Sequence, residues 1–282
     1  MNRKATTALV VLALGTGTSR EAWAWGATGH EWISGIAIER LPDSLPDFVR
    51  TTEAAAEIAV MGRELDRSKG TGKTHDAERD PGHWLSLADD GSVVGVLPLA
   101  ELPQTREDYD TLLRARGFTQ YRAGYLPYAI VDGWQQIAKD FAYWRAAAKG
   151  AETAATPEER AWFEADRRLR EKLTLHDIGV WSHYAADAAQ PMHVSVHFSG
   201  WGNFPNPSAL YALERDGGLK PGDRRGIVFA TARLAAGASA VRDMIVDAWR
   251  QSADTPVGYP MVNLRDIESG KVRVTRDLFG KD

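Results

Sequence analysis

The residues best suited to chemistry lie in one short segment, residues 181–193, with the sequence WSHYAADAAQPMH. His183 and Asp187 are four residues apart, which on an α-helix places them on one face with Cβ atoms roughly 5–6 Å apart. His193 follows Pro191, where a helix should end. Imidazoles and a carboxylate without cysteine are typical ligands of catalytic rather than structural zinc. The spacing indicates a metal site, although a surface pair or a hydrogen-bonded core pair would have the same spacing.

A long helix is needed to carry this segment, and the sequence contains its start signal. Thr156 is a typical N-cap residue, Pro157 suits the first helical position, and Glu159 can close a capping box. The helix is predicted to run to Gln190. His183 and Asp187 would then lie near its C-terminal end.

Other helices are predicted on both sides of this one. Apolar residues at helical spacing predict a core-facing helix before it and a final long helix from about Leu234 to Trp249. The first of these stripes comprises Ile130, Trp134, Ile137, Phe141 and Trp144. Shorter helices are expected up to Leu41, over residues 47–65 and over residues 106–117. Residues 66–73 suggest a loop, and residues 93–97 a short strand or an extended segment. We therefore predict an all-α fold, a single-domain helical bundle in which facing helices can build a metal site.

Composition narrows the possible functions. The chain has 282 residues, of which 44% are hydrophobic, enough for one sizeable core. Its formal charge of −4 and the lack of a basic run exclude a strongly basic coat for nucleic acid. The absence of cysteine excludes disulfides and thiolate metal sites.

The first residues predict export. Arg3 and Lys4 form a basic region, residues 8–14 form a short apolar core, and Ala22-Trp23-Ala24 fits the cleavage rule for signal peptides. We expect residues 1–24 to be a cleaved signal peptide and residues 25–282 to be one domain that begins at Trp25. The apolar run is too short to be a membrane anchor, and the expected localisation is secreted or periplasmic.

Four blocks of the sequence resemble one enzyme family. They are Trp25-Gly-x-x-Gly-His30, Asp66, His83 followed by an aromatic residue, and His183-x3-Asp187-x5-His193 with Gln190-Pro191. In order and spacing the chain resembles the zinc-dependent single-strand-specific nucleases (the nuclease S-one and P-one family) over residues 25 to about 194. The fold of that family is shared with bacterial zinc-dependent phospholipase C.

The resemblance implies a three-zinc cluster at the bottom of a cleft. Asp66, His83, His183 and Asp187 would hold the first zinc. The backbone amine and carbonyl of Trp25 would hold its neighbour, together with His30 and a bridging Asp187. The amine can ligate only after the signal peptide has been removed.

His193 would begin the third zinc site, and here the sequence departs from the family. The family completes this site with a later histidine and an acidic residue four positions apart, but no histidine follows His197. Glu214, Asp216, Asp223 or His197 could substitute, or the chain could have a two-zinc or damaged site.

The chemistry implied is hydrolysis of phosphodiesters. A zinc pair lowers the pKa of bound water toward about 7 and neutralises charge on the phosphate. By resemblance, Asp66 would orient the water, and Lys69, which stands where the nucleases have an arginine, would neutralise phosphate. His176 has no role in the family and is expected in the core or behind the metal ligands.

We therefore predict an endonuclease that hydrolyses single-stranded DNA and RNA to 5′-phosphate products, with no obligate protein partner. Candidate platforms for stacked bases are Trp84, Phe198, Trp201 and Phe204. Two alternatives remain open at this point. One is a phospholipase C that acts on phosphatidylcholine-like lipids, and the other is an exported zinc-binding protein without catalysis.

Overall fold

The computed structural model describes residues 25–68, 70–197 and 209–279. Within these ranges the chain forms ten α-helices and two short antiparallel ribbons, so the predicted all-α fold is confirmed. The helices are α1 (Gly26–Glu39), α2 (Thr52–Met61), α3 (Lys73–Arg79), α4 (Arg106–Arg114), α5 (Gln120–Ala123), α6 (Leu126–Thr153), α7 (Pro157–Asp187), α8 (Ala209–Arg215), α9 (Arg224–Ser252) and α10 (Leu264–Glu268). The ribbons pair β1 (Ser92–Val93) with β2 (Leu97–Pro98) and β3 (Pro256–Val257) with β4 (Val262–Asn263). The predicted signal peptide, residues 1–24, lies outside the described residues.

The main core lies between α1, α2, α6, α7 and α9. On α6, Ile137 and Phe141 are fully buried, and on α9 the same is true of Val241 and Ile245. These residues belong to the two predicted apolar stripes, which are therefore confirmed as core-facing. Among the described residues, no helix combines the length and apolar character that crossing a membrane requires.

The start of α7 follows its sequence signal. The Thr156 hydroxyl accepts a hydrogen bond of 3.1 Å from the Glu159 amide, and the Glu159 carboxylate accepts one of 2.7 Å from the Ala155 amide. The helix ends at Asp187, three residues before the predicted end, and a turn then leads to His193. Asp187 is thus the last helical residue.

One local prediction was wrong in detail. The helix predicted over residues 47–65 is interrupted, because Thr51 caps α2 and 3₁₀ turns cover Asp47–Val49 and Glu64–Ser68. Residues 70–72 of the segment expected to be a loop are non-helical, and α3 begins at the last residue of that segment, Lys73. The Tyr121 hydroxyl anchors α3 by donating a 3.0 Å hydrogen bond to the Glu78 carboxylate. Helix α3 has no apolar periodicity of its own, so contacts from elsewhere in the chain hold it in place.

A polar cluster interrupts the packing of α6 on α7. The Gln136 amide nitrogen donates to Asp140 Oδ1 (3.1 Å) on its own helix and to Asp177 Oδ2 (3.2 Å) on α7. Lys139 donates to the Gln136 carbonyl oxygen at 2.7 Å. Asp140 is 1% exposed, and its burial together with the nearby Asp177 carboxyl raises its pKa to about 7.

Candidate metal centre

Four separate segments bring the predicted metal ligands together. Helix α1 contributes His30, the 3₁₀ turns Glu64–Ser68 and Asp80–His83 contribute Asp66 and His83, and the C-terminal end of α7 contributes His183 and Asp187. Ligand atoms within 4.8 Å of one another form two triads that share His183. One triad is His30, His183 and Asp187, and the other is Asp66, His83 and His183.

Asp187 lies at the centre of the cluster, with its side chain fully buried. Its Oδ2 is 3.1 Å from His83 Nδ1 and 3.3 Å from His183 Nε2. Its Oδ1 is 3.5 Å from His30 Nε2 and 3.8 Å from His193 Nε2. Each carboxylate oxygen therefore faces two imidazole nitrogens.

A backbone carbonyl fixes the tautomer of His183. His183 Nδ1 lies 2.8 Å from the Gly62 carbonyl oxygen, which can only accept, so Nδ1 carries the proton. In the neutral ring, Nε2 therefore presents a lone pair to the cluster. A Cβ at Gly62 would lie 2.3 Å from Ser34 Oγ, so glycine is required for the carbonyl to reach this position. Such carbonyl partners orient metal-ligating histidines.

His30 is fully buried, and its ring stacks on His183 with centroids 3.8 Å apart. Neither of its ring nitrogens has a hydrogen-bond partner among the described residues. Burial and the adjacent His183 ring lower the pKa of His30 to about 3. The ring is therefore neutral near pH 7, and its lone pair is available to a cation.

Burial opposes charge on both Asp187 and His183, and the interaction between these two residues outweighs it. Burial acts to raise the pKa of Asp187, but His183 and the hydrogen bonds from His183 and His83 hold it well below its ordinary value. Burial acts to lower the pKa of His183, but the Asp187 carboxylate outweighs it and raises that pKa. Asp187 is therefore ionised inside the protein, a state that requires a nearby proton or cation.

Asp66 forms the accessible side of the cluster. Its Oδ1 is 3.7 Å from His183 Nε2 and its Oδ2 is 4.0 Å from His30 Nε2, and its side chain is 26% exposed. The remaining ligands in the two triads are buried. Asp66 is thus the ligand best placed to meet solvent.

Trp25 and His193 flank the centre. The Trp25 indole N–H donates a 2.9 Å hydrogen bond to the carbonyl of Ala186, the residue before Asp187. His193 Nδ1 lies 2.7 Å from the carbonyl oxygen of His83. His193 belongs to neither triad, although its Nε2 faces Asp187.

Other predicted site residues are placed elsewhere. Asp216 and Asp223 are bound to Arg215 and Arg225, and Glu214 is exposed on α8. His197 pairs with Asp89 at 3.1 Å. The expectation that His176 lies in the core or behind the ligands was wrong, because its side chain is 62% exposed. Lys69, Phe198, Trp201 and Phe204 lie outside the described residues.

A cavity of about 740 Å³ opens beside His193. Its lining includes the predicted Trp84 and three residues that sequence reasoning missed: Phe118, Tyr121 and Arg122. The aromatic pair at i and i+3 was the available signal, but nothing in the sequence connected it to the histidines. All three aromatic side chains are half-buried rather than core.

The arrangement of imidazoles and carboxylates can hold divalent cations with nitrogen and oxygen ligands, as zinc prefers.

Comparison with models of known protein families, with curated proteins and with solved structures found no match to this chain.

Proposed function

We propose that the protein is an exported zinc-dependent endonuclease that hydrolyses single-stranded DNA and RNA and leaves 5′-phosphate ends. The observation that carries the proposal is the buried Asp187 carboxyl with two imidazole nitrogens against each of its oxygens. A carboxylate–histidine pair with a purely structural role would need only one imidazole partner and one shared proton. A cluster of this composition, open to solvent at Asp66, is suited to a catalytic metal centre.

Zinc ions held by these residues would supply an activated water and neutralise charge on the phosphate. Asp66 is assigned to orient the attacking water, because its side chain is the most accessible to solvent among the ligands of the two triads. The zinc ions would be bound in the buried part of the centre by His30, His83, His183 and Asp187. Lys69, assigned by resemblance, neutralises phosphate as a point charge.

The cavity beside His193 favours nucleic acid over lipid as the substrate. Trp84, Phe118 and Tyr121 offer flat surfaces on which bases can stack, and Arg122 adds a cation. Stacking on aromatic rings tolerates different base sequences, as a nuclease acting on both DNA and RNA requires.

The proposal includes export because removal of the signal peptide would make Trp25 the N-terminal residue. Cleavage after Ala24 would create an α-amine at the residue whose indole is tied to Ala186, next to the central carboxylate. An amine with a lone pair can bind zinc, whereas the amide nitrogen of an uncleaved chain cannot. The proposal therefore includes processing of residues 1–24 as a condition of activity.

The test uses the exported, processed protein with zinc. We expect cleavage of single-stranded DNA and RNA, much slower cleavage of duplex DNA, and loss of cleavage in Asp66→Ala. Phosphatidylcholine vesicles are the parallel substrate. Cleavage of lipid alone would support the phospholipase C alternative, and bound zinc with no cleavage above the Asp66→Ala level would support a non-catalytic binding protein.

A further inference from the structure

His193 presents a lone pair to the metal centre. Its Nδ1 lies 2.7 Å from the His83 carbonyl oxygen, and since a carbonyl only accepts, Nδ1 carries the proton. In the neutral ring, Nε2 then has no proton, yet it faces Asp187 Oδ1 at 3.8 Å. Two electron-rich atoms facing each other in a half-buried position are stabilised when a cation lies between them.

The four contacts of Asp187 divide into two matching halves. Oδ2 faces His83 and His183 at 3.1 and 3.3 Å, and Oδ1 faces His30 and His193 at 3.5 and 3.8 Å. Zinc bonds of about 2.0–2.1 Å in a tetrahedron place neighbouring ligand atoms about 3.3 Å apart. The observed separations lie around this value on both sides of the carboxylate.

The two carboxylate oxygens of Asp66 face the two halves of the cluster in the same way as those of Asp187. Asp66 Oδ1 lies toward His183 and its Oδ2 toward His30, at 3.7 and 4.0 Å. Both carboxylates thus present one oxygen to each half of the cluster, and each half contains two imidazoles. The ligand set is balanced for two ions.

A third ion has no comparable ligands among the described residues. Residues 198–208 contain no histidine, aspartate or glutamate, and the last histidine of the chain, His197, pairs with Asp89. The acidic candidates further along are exposed or bound to arginine. His193 therefore has no partners of its own for a separate site within the described part of the chain.

The geometry points to a two-zinc centre in which His193 joins His30 and Asp187 Oδ1 as a ligand of the second ion. This inference rests on the proposed metal centre and changes the role of His193 from the start of a third site. His83, His183 and Asp187 Oδ2 hold the first ion, and Asp66 is shared between the two.

The experiment counts zinc ions per chain by native mass spectrometry and measures their affinities by competition with a chelator. Wild type is expected to bind two. In His193→Asn the side-chain amide can replace Nδ1 as the donor to the His83 carbonyl, but no atom replaces Nε2. This variant is expected to bind one ion tightly and the second at least about tenfold more weakly. His197→Asn, the matched control, is expected to bind two ions as wild type does.

Three zinc ions in wild type, or unchanged affinity for both ions in His193→Asn, would overturn the inference. His193→Gln, whose amide reaches toward the position of Nε2, separates ligation from folding, because it should recover part of the second-ion affinity. Nuclease activity is scored separately. Two bound ions without cleavage would refute the proposed function and leave the two-zinc centre standing, whereas cleavage with three ions would do the reverse.

Discussion

Asp140 should make the protein less stable as the pH rises, and Asp140→Asn should remove this effect. The side chain is 1% exposed on α6 and close to Asp177 on α7. Its folded-state pKa is raised to about 7 from an ordinary value of 3.8. The folded protein therefore keeps a proton that the unfolded chain releases between about pH 4 and pH 7, and stability from this group falls across that window.

The size of the effect follows from the shift. About three pKa units at about 1.4 kcal/mol each give at most about 4 kcal/mol of lost stability by pH 8. The side-chain amide introduced by Asp140→Asn carries no charge, can donate to the Asp177 carboxylate as a protonated carboxyl would, and can accept from Gln136. We expect the variant to be close to wild type at pH 4.5 and more stable by about 2–4 kcal/mol at pH 8.

The assay is urea unfolding of both proteins, metal-free, at the two pH values. The histidine cluster titrates equally in both proteins, so it cancels in the difference at each pH. Asp247→Asn is the control, because Asp247 is exposed on α9 and should show no pH-dependent difference. A stability difference between Asp140→Asn and wild type that stays constant from pH 4.5 to pH 8 would refute the reasoning.

Three further predictions concern the site. Trp84→Ala should slow cleavage of single-stranded DNA roughly 5- to 150-fold, mainly through KM, with zinc content unchanged, because base stacking contributes about 1–3 kcal/mol. An unchanged KM would exclude Trp84 as a platform. Gly62→Ala should weaken zinc binding about 10- to 100-fold by displacing the carbonyl that orients His183. Adding Ser34→Ala to this variant should recover part of the zinc affinity, because it removes the hydroxyl that clashes with the new Cβ. Chelation of zinc should lower the free energy of unfolding by about 3 kcal/mol for each bound ion, relative to protein in zinc at 100 times Kd. Calorimetry checks this, and a chelator effect of equal size in Asp187→Asn would argue against the site.

Much of the fold could be predicted from the sequence, because a helix requires apolar residues at a regular spacing and typical residues at its ends. The stripe containing Ile137 and Phe141 and the cap at Thr156 depend on residues near in sequence, and both predictions were confirmed. The helical spacing of His183 and Asp187 indicated a metal site, whereas the resemblance to the nuclease family was needed to assign His30, Asp66 and His83 as ligands. Five of the predicted ligands meet in the structure, whereas the identity of the metal stays a prediction.

The rest depends on contacts between distant segments. The Gly62 carbonyl is 121 residues from His183, and no local pattern predicts that they meet. The same holds for Phe118 and Tyr121, which reach the cavity through the fold, and for the position of α3. Backbone carbonyls in particular carry no sequence signal, although they set the tautomers of two of the histidines.

The position of Asp187 at the end of α7 has a further electrostatic consequence. The peptide dipoles of this 31-residue helix point their negative end at the cluster, equivalent to roughly half an elementary charge. This field attracts a cation whatever the side chains are, and it repels a phosphate that approaches before the cations are in place. Part of the metal affinity therefore belongs to the helix itself, and substrate should bind only after the metal.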